Sequence, residues 1–425
     1  MYTAYAALAT MAILPIYFGA FASLKKWKNP KEKKAIKGQI NDPDEDEDTT
    51  PETVSSGGTI LMPILGSLGL YGLHLAFNYL EKAYVNFALV SYVALMGALA
   101  TTQVGVNTLS PVLKVLGIKL ERWHLNLAKK TGDFYSARFT IVHLTVLVVS
   151  IMLTAYYVAT KNWIASNVLA FSLALASIQA LHLDSFRSGM ILLGGFVLFD
   201  LYWAYGSNLL ESISDNFDLP FQVVFPKLFF GLPAGRALQF ATLDLGDIVI
   251  PGLFVALCLR FDQHRAGTKN PELGRSTAFR KPYFTGCISG YILGLGVYFY
   301  LFHTMEVSQP ALLFLAPACV LSVLMTGSVR AESPYVFSYI SEEGLRIAKA
   351  RMEALEQWKQ SSERAHAAAA ARQRYQQQAA AAAAARARQP IREESPAPSS
   401  AASSPSVADQ PVFTSSGEDQ ETNLS

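Results

Sequence analysis

Charge is what this chain has least of. Asp, Glu, Lys and Arg make up 16% of its 425 residues, and 51% are hydrophobic; a soluble domain carries roughly 25% charge. A chain so apolar cannot cover a water-facing surface, which excludes a string of soluble domains and calls for a lipid solvent. Charge of one sign is also lacking: 35 basic against 33 acidic residues leave a formal net charge of +2. That balance excludes the basic surface a nucleic-acid partner requires. Cysteine is scarce. Cys258, Cys287 and Cys319 are odd in number and lie in or beside apolar stretches, which excludes an extracellular disulfide framework and predicts free, buried thiols. Two familiar catalytic signatures are missing as well: there is no His-Glu-x-x-His, and Gly286-Cys287-Ile288-Ser289-Gly290 has the wrong spacing for Gly-x-Ser-Gly. No glycine loop follows a strand-like segment to cradle phosphate, so no nucleotide, other cofactor or metal is expected.

Long apolar runs are abundant. About 20 apolar residues cross the hydrocarbon core as a helix, and nine such windows predict spans at 4–24, 60–80, 84–106, 139–159, 163–183, 189–205, 243–261, 283–302 and 310–329. The expected fold is an all-α, polytopic, nine-helix bundle. The fifth window is interrupted by Asn167, Gln179 and His182, and the short sixth by Asp200. After the first span come Lys25, Lys26, Lys28, Lys31, Lys33, Lys34 and Lys37, a run that stays cytosolic and puts the N-terminus in the lumen. The loops then assigned to the cytosol carry 20 Lys and Arg, and the lumenal loops only Lys82, Lys161, Lys227 and Arg236. The first span is followed by lysines and no small-residue cleavage site, so it is expected to remain. Residues 1–340 are expected to form the membrane domain, with 41–58 an acidic solvated linker inside it. Residues 341–388 read as a polar, alanine-rich cytosolic helix, and the Ser/Pro/Ala-rich 389–425 as a disordered tail.

An ionisable residue at membrane depth costs several kcal/mol and is a functional candidate by default. Asp200, in Phe199-Asp200-Leu201, lies deep in the sixth window, and Asp247, in Asp244-Leu245-Gly246-Asp247, near the start of the seventh. Neither has Lys or Arg within one helical turn. Consecutive spans are commonly neighbours, so the two carboxyls can face each other and share one proton, one acid and one base. That arrangement suits hydrolysis of an amide, carriage of a proton or cation, or a structural polar contact; residue types alone leave all three open. Gly246 would let a second backbone approach Asp247. Pro251 has no N–H, so the carbonyl of Asp247 loses its helical partner four residues on; that is either a loosened turn at the acid or a harmless kink. Gly286, Gly290 and Gly294 make a small-residue face for close helix packing. His74 and His143 read as satisfied core residues, and His303 with Glu306 as a solvated pair.

These stretches resemble the intramembrane aspartyl proteases of the signal peptide peptidase and presenilin type. The family's Tyr-Asp, Gly-x-Gly-Asp and Pro-Ala-Leu motifs are matched in order by Phe199-Asp200, Asp244-Leu245-Gly246-Asp247 and Gln309-Pro310-Ala311-Leu312. The resemblance covers roughly 60–340. It implies that Asp200 and Asp247 are the catalytic pair, with Phe199, Leu245, Gly246, Gln309, Pro310, Ala311 and Leu312 shaping the site and holding substrate. It further implies transmembrane peptide substrates, chiefly signal-peptide remnants and type II segments, in the membrane lipid of the endoplasmic reticulum, and a homo-oligomer or degradation partners there. Two departures stand out: Phe199 lacks the family's phenolic hydroxyl, and Asp244 replaces a glycine one turn before Asp247, where it either raises the pKa of its neighbour or, as the membrane edge favours, sits in water with little effect. A transmembrane substrate hides its peptide bonds in helical hydrogen bonds, so it must unwind and pair as a strand; 207–242 is either that pairing segment or a plain lumenal loop. Against the family stand a proton-coupled transporter, which would need paired half-helices or internal symmetry that the sequence lacks, and an inactive scaffold that keeps the acids as a polar contact.

Overall fold

The computed structural model describes residues 2–24, 52–54, 56–116, 122–129, 132–206, 222–227, 239–270, 272, 277–305 and 309–387. The polybasic run at 25–37, the acidic run at 44–48 and the tail from 388 lie outside the described residues. All nine predicted windows are helical: α1 Tyr2–Ala22, α2 Ser56–Tyr79, α3 Lys82–Val115, α4 Ile141–Thr160, α5 Trp163–Ala180, α6 Phe186–Gly206, α7 Leu245–Lys269, α8 Pro282–Met305 and α9 Leu312–Val329. Two more follow, α10 Ser333–Ser338 and α11 Glu342–Ala387. Residues 1–353 form one compact unit and 354–425 a second, whose described part is the remainder of α11.

Even a β-branched run such as Val146 to Ile151 is helical here, because lipid offers backbone groups no partner and a helix satisfies them within the segment. Leu61, Leu65 and Leu68 on α2, and Leu144, Val149 and Met152 on α4, are exposed as lipid-facing side chains would be. Among the described residues, eight helices are long and apolar enough to cross a membrane; α7 is not one of them. It touches α1, α5, α6, α8 and α9, and Ile248 and the whole run Leu253 to Leu259 are buried. A helix enclosed by other helices need not be apolar toward lipid, which is how α7 accommodates Asp247, Arg260 and Asp262. Cys258, Cys287 and Cys319 are free and buried, as expected. The glycine face on α8 packs against α9: a Cβ on Gly290 would stand 2.8 Å from the Ala318 carbonyl oxygen.

Strands appear where only loops or spans are expected. β1 (Glu52–Val54) pairs in parallel with β4 (Leu181–Leu183). The fifth span therefore ends at Ala180, not 183, and His182 lies in a strand; residues 52–54 of the supposed linker are its partner. β2 (Arg122–Lys129) and β3 (Gly132–Thr140) form an antiparallel pair across the loop expected at 107–138, whose first residues prolong α3 to Val115; the fourth span therefore starts at Ile141, not 139. β5 (Gln222–Pro226) and β6 (Phe240–Asp244) form a third pair. Each sheet among the described residues has two strands, so the bundle remains all-α in architecture.

Candidate active site

β6 runs directly into α7, with Asp244 as the N-cap residue in extended conformation. Asp247 therefore falls in the first turn of α7 and is buried. Asp200 lies on α6, five residues before the apolar span ends at Tyr205, and is half-buried. Helices α6 and α7 pack together, and the carboxyls of Asp200, Asp244 and Asp247 lie within electrostatic range of one another. The expectation that Asp244 does little at the membrane edge is thus corrected: it is exposed at the strand end, but its charge acts on both other acids. Its carboxyl also pairs with the side chain of Gln222, its cross-strand neighbour.

A third element closes the group. The first four N–H groups of a helix have no intrahelical acceptor. On α9 the carbonyls of Pro310 and Ala311 take the amides of Leu313, Phe314 and Leu315, so the Leu312 amide is unused within the helix. It faces the Asp247 carboxyl, where the positive end of the helix dipole also favours negative charge. Ala311 and Leu312 are buried; Gln309 and Pro310 are half-buried. Gln309 lines a small cavity with Tyr298, Leu301, Phe302 and Phe314, and Tyr298 lies within electrostatic range of Asp247 and Asp244. Leu245 packs partly into the core, while Gly246 is exposed. A Cβ on Gly246 would meet only the Ile250 methyl, at 3.8 Å, so no second backbone among the described residues uses the approach that glycine allows. Phe199 keeps the aromatic packing of its position: its ring lies 5.8 Å from Phe196 and 6.4 Å from Trp203, against Gly66 of α2.

Two contacts escaped the sequence. Asn167, expected to be an awkward polar residue in the fifth span, donates to the Val224 carbonyl at 2.7 Å and accepts from its N–H at 2.8 Å. It clamps β5 to α5. Both backbone groups of Val224 therefore point away from β6, and in an antiparallel pair the same holds for Thr242, its partner, whose N–H and C=O face the outer edge of β6. The second is Tyr291 on α8, fully buried, whose hydroxyl donates to the Asp247 carbonyl at 3.3 Å. Among the described residues no group of His, Cys, Asp or Glu is arranged to hold a metal. His74 bonds to Asn78 at 3.0 Å, consistent with a satisfied side chain.

Carboxyls within electrostatic range of each other on two adjoining helices of an apolar bundle, next to a strand edge, fit the class of membrane-embedded aspartic hydrolases. The chain belongs to the signal peptide peptidase family, whose sequence profile matches residues 46–343. It is 32% identical over 368 residues to a signal peptide peptidase of Mus musculus, covering 84% of this chain and 88% of that one. It is 32% identical over 347 residues to the human signal peptide peptidase, covering 79% and 83%. It is 31% identical over 337 residues to a probable intramembrane protease of Schizosaccharomyces pombe, covering 79% and 94%. The protein is a multi-pass intramembrane aspartic protease acting on transmembrane peptides.

Proposed function

We propose that Asp200 and Asp247 are the catalytic pair and that the substrates are signal-peptide remnants and type II membrane segments in the endoplasmic reticulum membrane. The observation that carries this is the convergence of the two carboxyls from α6 and α7 beside the Leu312 amide. One carboxylate takes a proton from water as its oxygen attacks the scissile carbonyl, and the other, protonated, gives its proton to the carbonyl oxygen. Collapse of the diol passes a proton to the amide nitrogen, the C–N bond breaks, and the pair returns to one shared proton. The Leu312 amide helps hold the ionised acid. The substrate, unwound, adds as a strand to the outer edge of β6, where the N–H and C=O of Thr242 supply main-chain partners. That edge ends at Asp244, three residues before Asp247, so an added strand is led toward the acids, and the open face of Gly246 leaves it room.

The basic-residue asymmetry supports a lumenal N-terminus and a cytosolic C-terminal helix at 341–388 beyond a membrane domain at 1–340. Some members of the family act in disposal of membrane proteins, and partners of that kind or a second copy of this chain fit the same reading. The test is cleavage of a type II transmembrane peptide by purified wild type, Asp200→Ala and Asp247→Ala. Cleavage by wild type and by neither variant is expected; cleavage by either variant at the wild-type rate removes the pair as the catalytic group.

A further inference from the structure

A proline four residues after an acid leaves that acid's backbone carbonyl without its helical hydrogen bond. In α7 the acid is Asp247 and the proline Pro251. Asp247 is buried among helices, so its carbonyl needs another donor. Tyr291 supplies one. This residue is entirely enclosed on α8, its ring immobilised by packing, and its hydroxyl reaches across to the Asp247 oxygen at 3.3 Å. The glycine face explains how α8 is held in the register this bond requires. Gly290, adjacent to Tyr291, and Gly294 one turn on bring α8 against α9, with would-be Cβ contacts of 2.8 Å to the Ala318 carbonyl and 3.1 Å to the Phe314 carbonyl.

Resting on the reading of Asp247 as a catalytic acid, we propose that Tyr291 is its positioning residue: the hydroxyl replaces the hydrogen bond that Pro251 deletes and fixes the backbone from which the acid projects. Without it the Asp247 carbonyl has no donor in place of the Pro251 amide, and the turn that sets the carboxyl against Asp200 and the Leu312 amide is held less firmly. Tyr291 touches neither carboxyl nor substrate, so its loss should act on turnover and leave substrate binding at the β6 edge intact.

Pro251 makes the inference separable from general packing. Tyr291→Phe keeps the ring and removes only the hydroxyl. Pro251→Ala restores an amide to the Asp247 carbonyl and makes the hydroxyl redundant. Wild type, Asp247→Ala, Tyr291→Phe, Pro251→Ala and the Tyr291→Phe/Pro251→Ala double variant are reconstituted in one lipid and assayed on a type II transmembrane peptide. Tyr291→Phe is expected to lower kcat about tenfold, the order of one hydrogen bond lost from a buried acceptor, with KM unchanged. In the Pro251→Ala background the same change should cost less than about twofold, since the acceptor is already satisfied. An equal loss of kcat in both backgrounds, or no loss in wild type beside an inactive Asp247→Ala, overturns the proposal. Full activity of Asp247→Ala strikes instead at the catalytic reading on which it rests.

A second measurement holds even if Pro251→Ala is too slow to assay. Asp247-Ile248 is the sole Asp-Ile pair in the chain, so carbonyl-13C Asp with 15N Ile selects the Asp247 carbonyl in a solid-state NMR spectrum of the full protein. Its carbonyl resonance should move upfield in Tyr291→Phe; an unmoved resonance overturns the hydrogen bond and the proposal with it.

Discussion

Gly290→Ala offers a direct measure of how tightly the helix carrying Leu312 is held. The added Cβ would stand 2.8 Å from the Ala318 carbonyl oxygen, 2.8 Å from the Ser322 Cβ and 2.8 Å from its Oγ. The hydroxyl can rotate away, but the Ala318 carbonyl is helix backbone. With ordinary contact beginning near 3.4 Å, α8 and α9 must separate by about half an ångström or more. Overpacking of this kind costs ~1–3 kcal/mol, partly masked by the ~1 kcal/mol that alanine gains over glycine in a helix. Gly296→Ala removes that ambiguity, because it lies on the same helix and nothing stands within 4 Å of its would-be Cβ. The difference between the two variants isolates the clash, ~1–3 kcal/mol, or a Tm gap of roughly 2–12 °C at ~2–4 °C per kcal/mol. Thermal unfolding of both proteins in one detergent reads it. Because α9 also presents the Leu312 amide to Asp247, Gly290→Ala should lower kcat while Gly296→Ala does not. Equal Tm values for the two variants would refute the close α8–α9 contact.

Asn167→Ala deletes both hydrogen bonds to Val224, at about 1 kcal/mol each with the backbone groups left bare; KM for a transmembrane peptide is expected to rise several-fold with a smaller change in kcat, and an unchanged KM argues against substrate pairing at the β5–β6 sheet. Glu332 receives Arg265, Arg330 and the Tyr283 hydroxyl. Burial disfavours its charge, but the two guanidinium groups outweigh burial and hold its carboxyl below the ordinary range. A carboxyl depressed on folding contributes stability above its unfolded value of about 4.3, lost as pH falls through the folded value. Glu332→Gln should therefore unfold at a lower temperature than wild type at pH 7, and the gap should close below about pH 4; a gap constant with pH contradicts the ion-pair account.

What one segment encodes by itself was legible in the sequence. Length and apolarity located nine helices, and the glycine spacing on α8 implied the tight face that Ala318 and Ser322 now fill. Pro251 announced that the Asp247 carbonyl would lack its helical bond. The sequence did not disclose the donor, because Tyr291 lies 44 residues on and only the packing of α8 against α7 makes the two neighbours. Asn167 was visible as an oddity in an apolar run, but its partner is a strand 57 residues away. The strands themselves are pairings of three to nine residues, too short for hydropathy to separate from the ends of spans, which is why Leu181–Leu183 was read as helix.

The same limit explains why the sequence could not rank the acids of α7. Asp247 and Asp262 stand on the same helix, and both are buried. At the far end of the helix, Asp262 accepts the amides of Tyr283 and Phe284, at 3.4 and 2.9 Å, and so caps the start of α8. Its negative charge is spent on donors at a helix N-terminus, where the dipole also favours it. Asp247 accepts the backbone amides of Leu312 and Asp244 but also lies within electrostatic range of two other carboxyls, a crowding of like charge that relaxes when a proton is shared. The fold supplies two backbone amides to each acid, so donors alone do not separate them; the neighbouring carboxyls of Asp200 and Asp244 do. By that measure α7 carries one acid that holds helices together and one set among other acids, fifteen residues apart on a single helix.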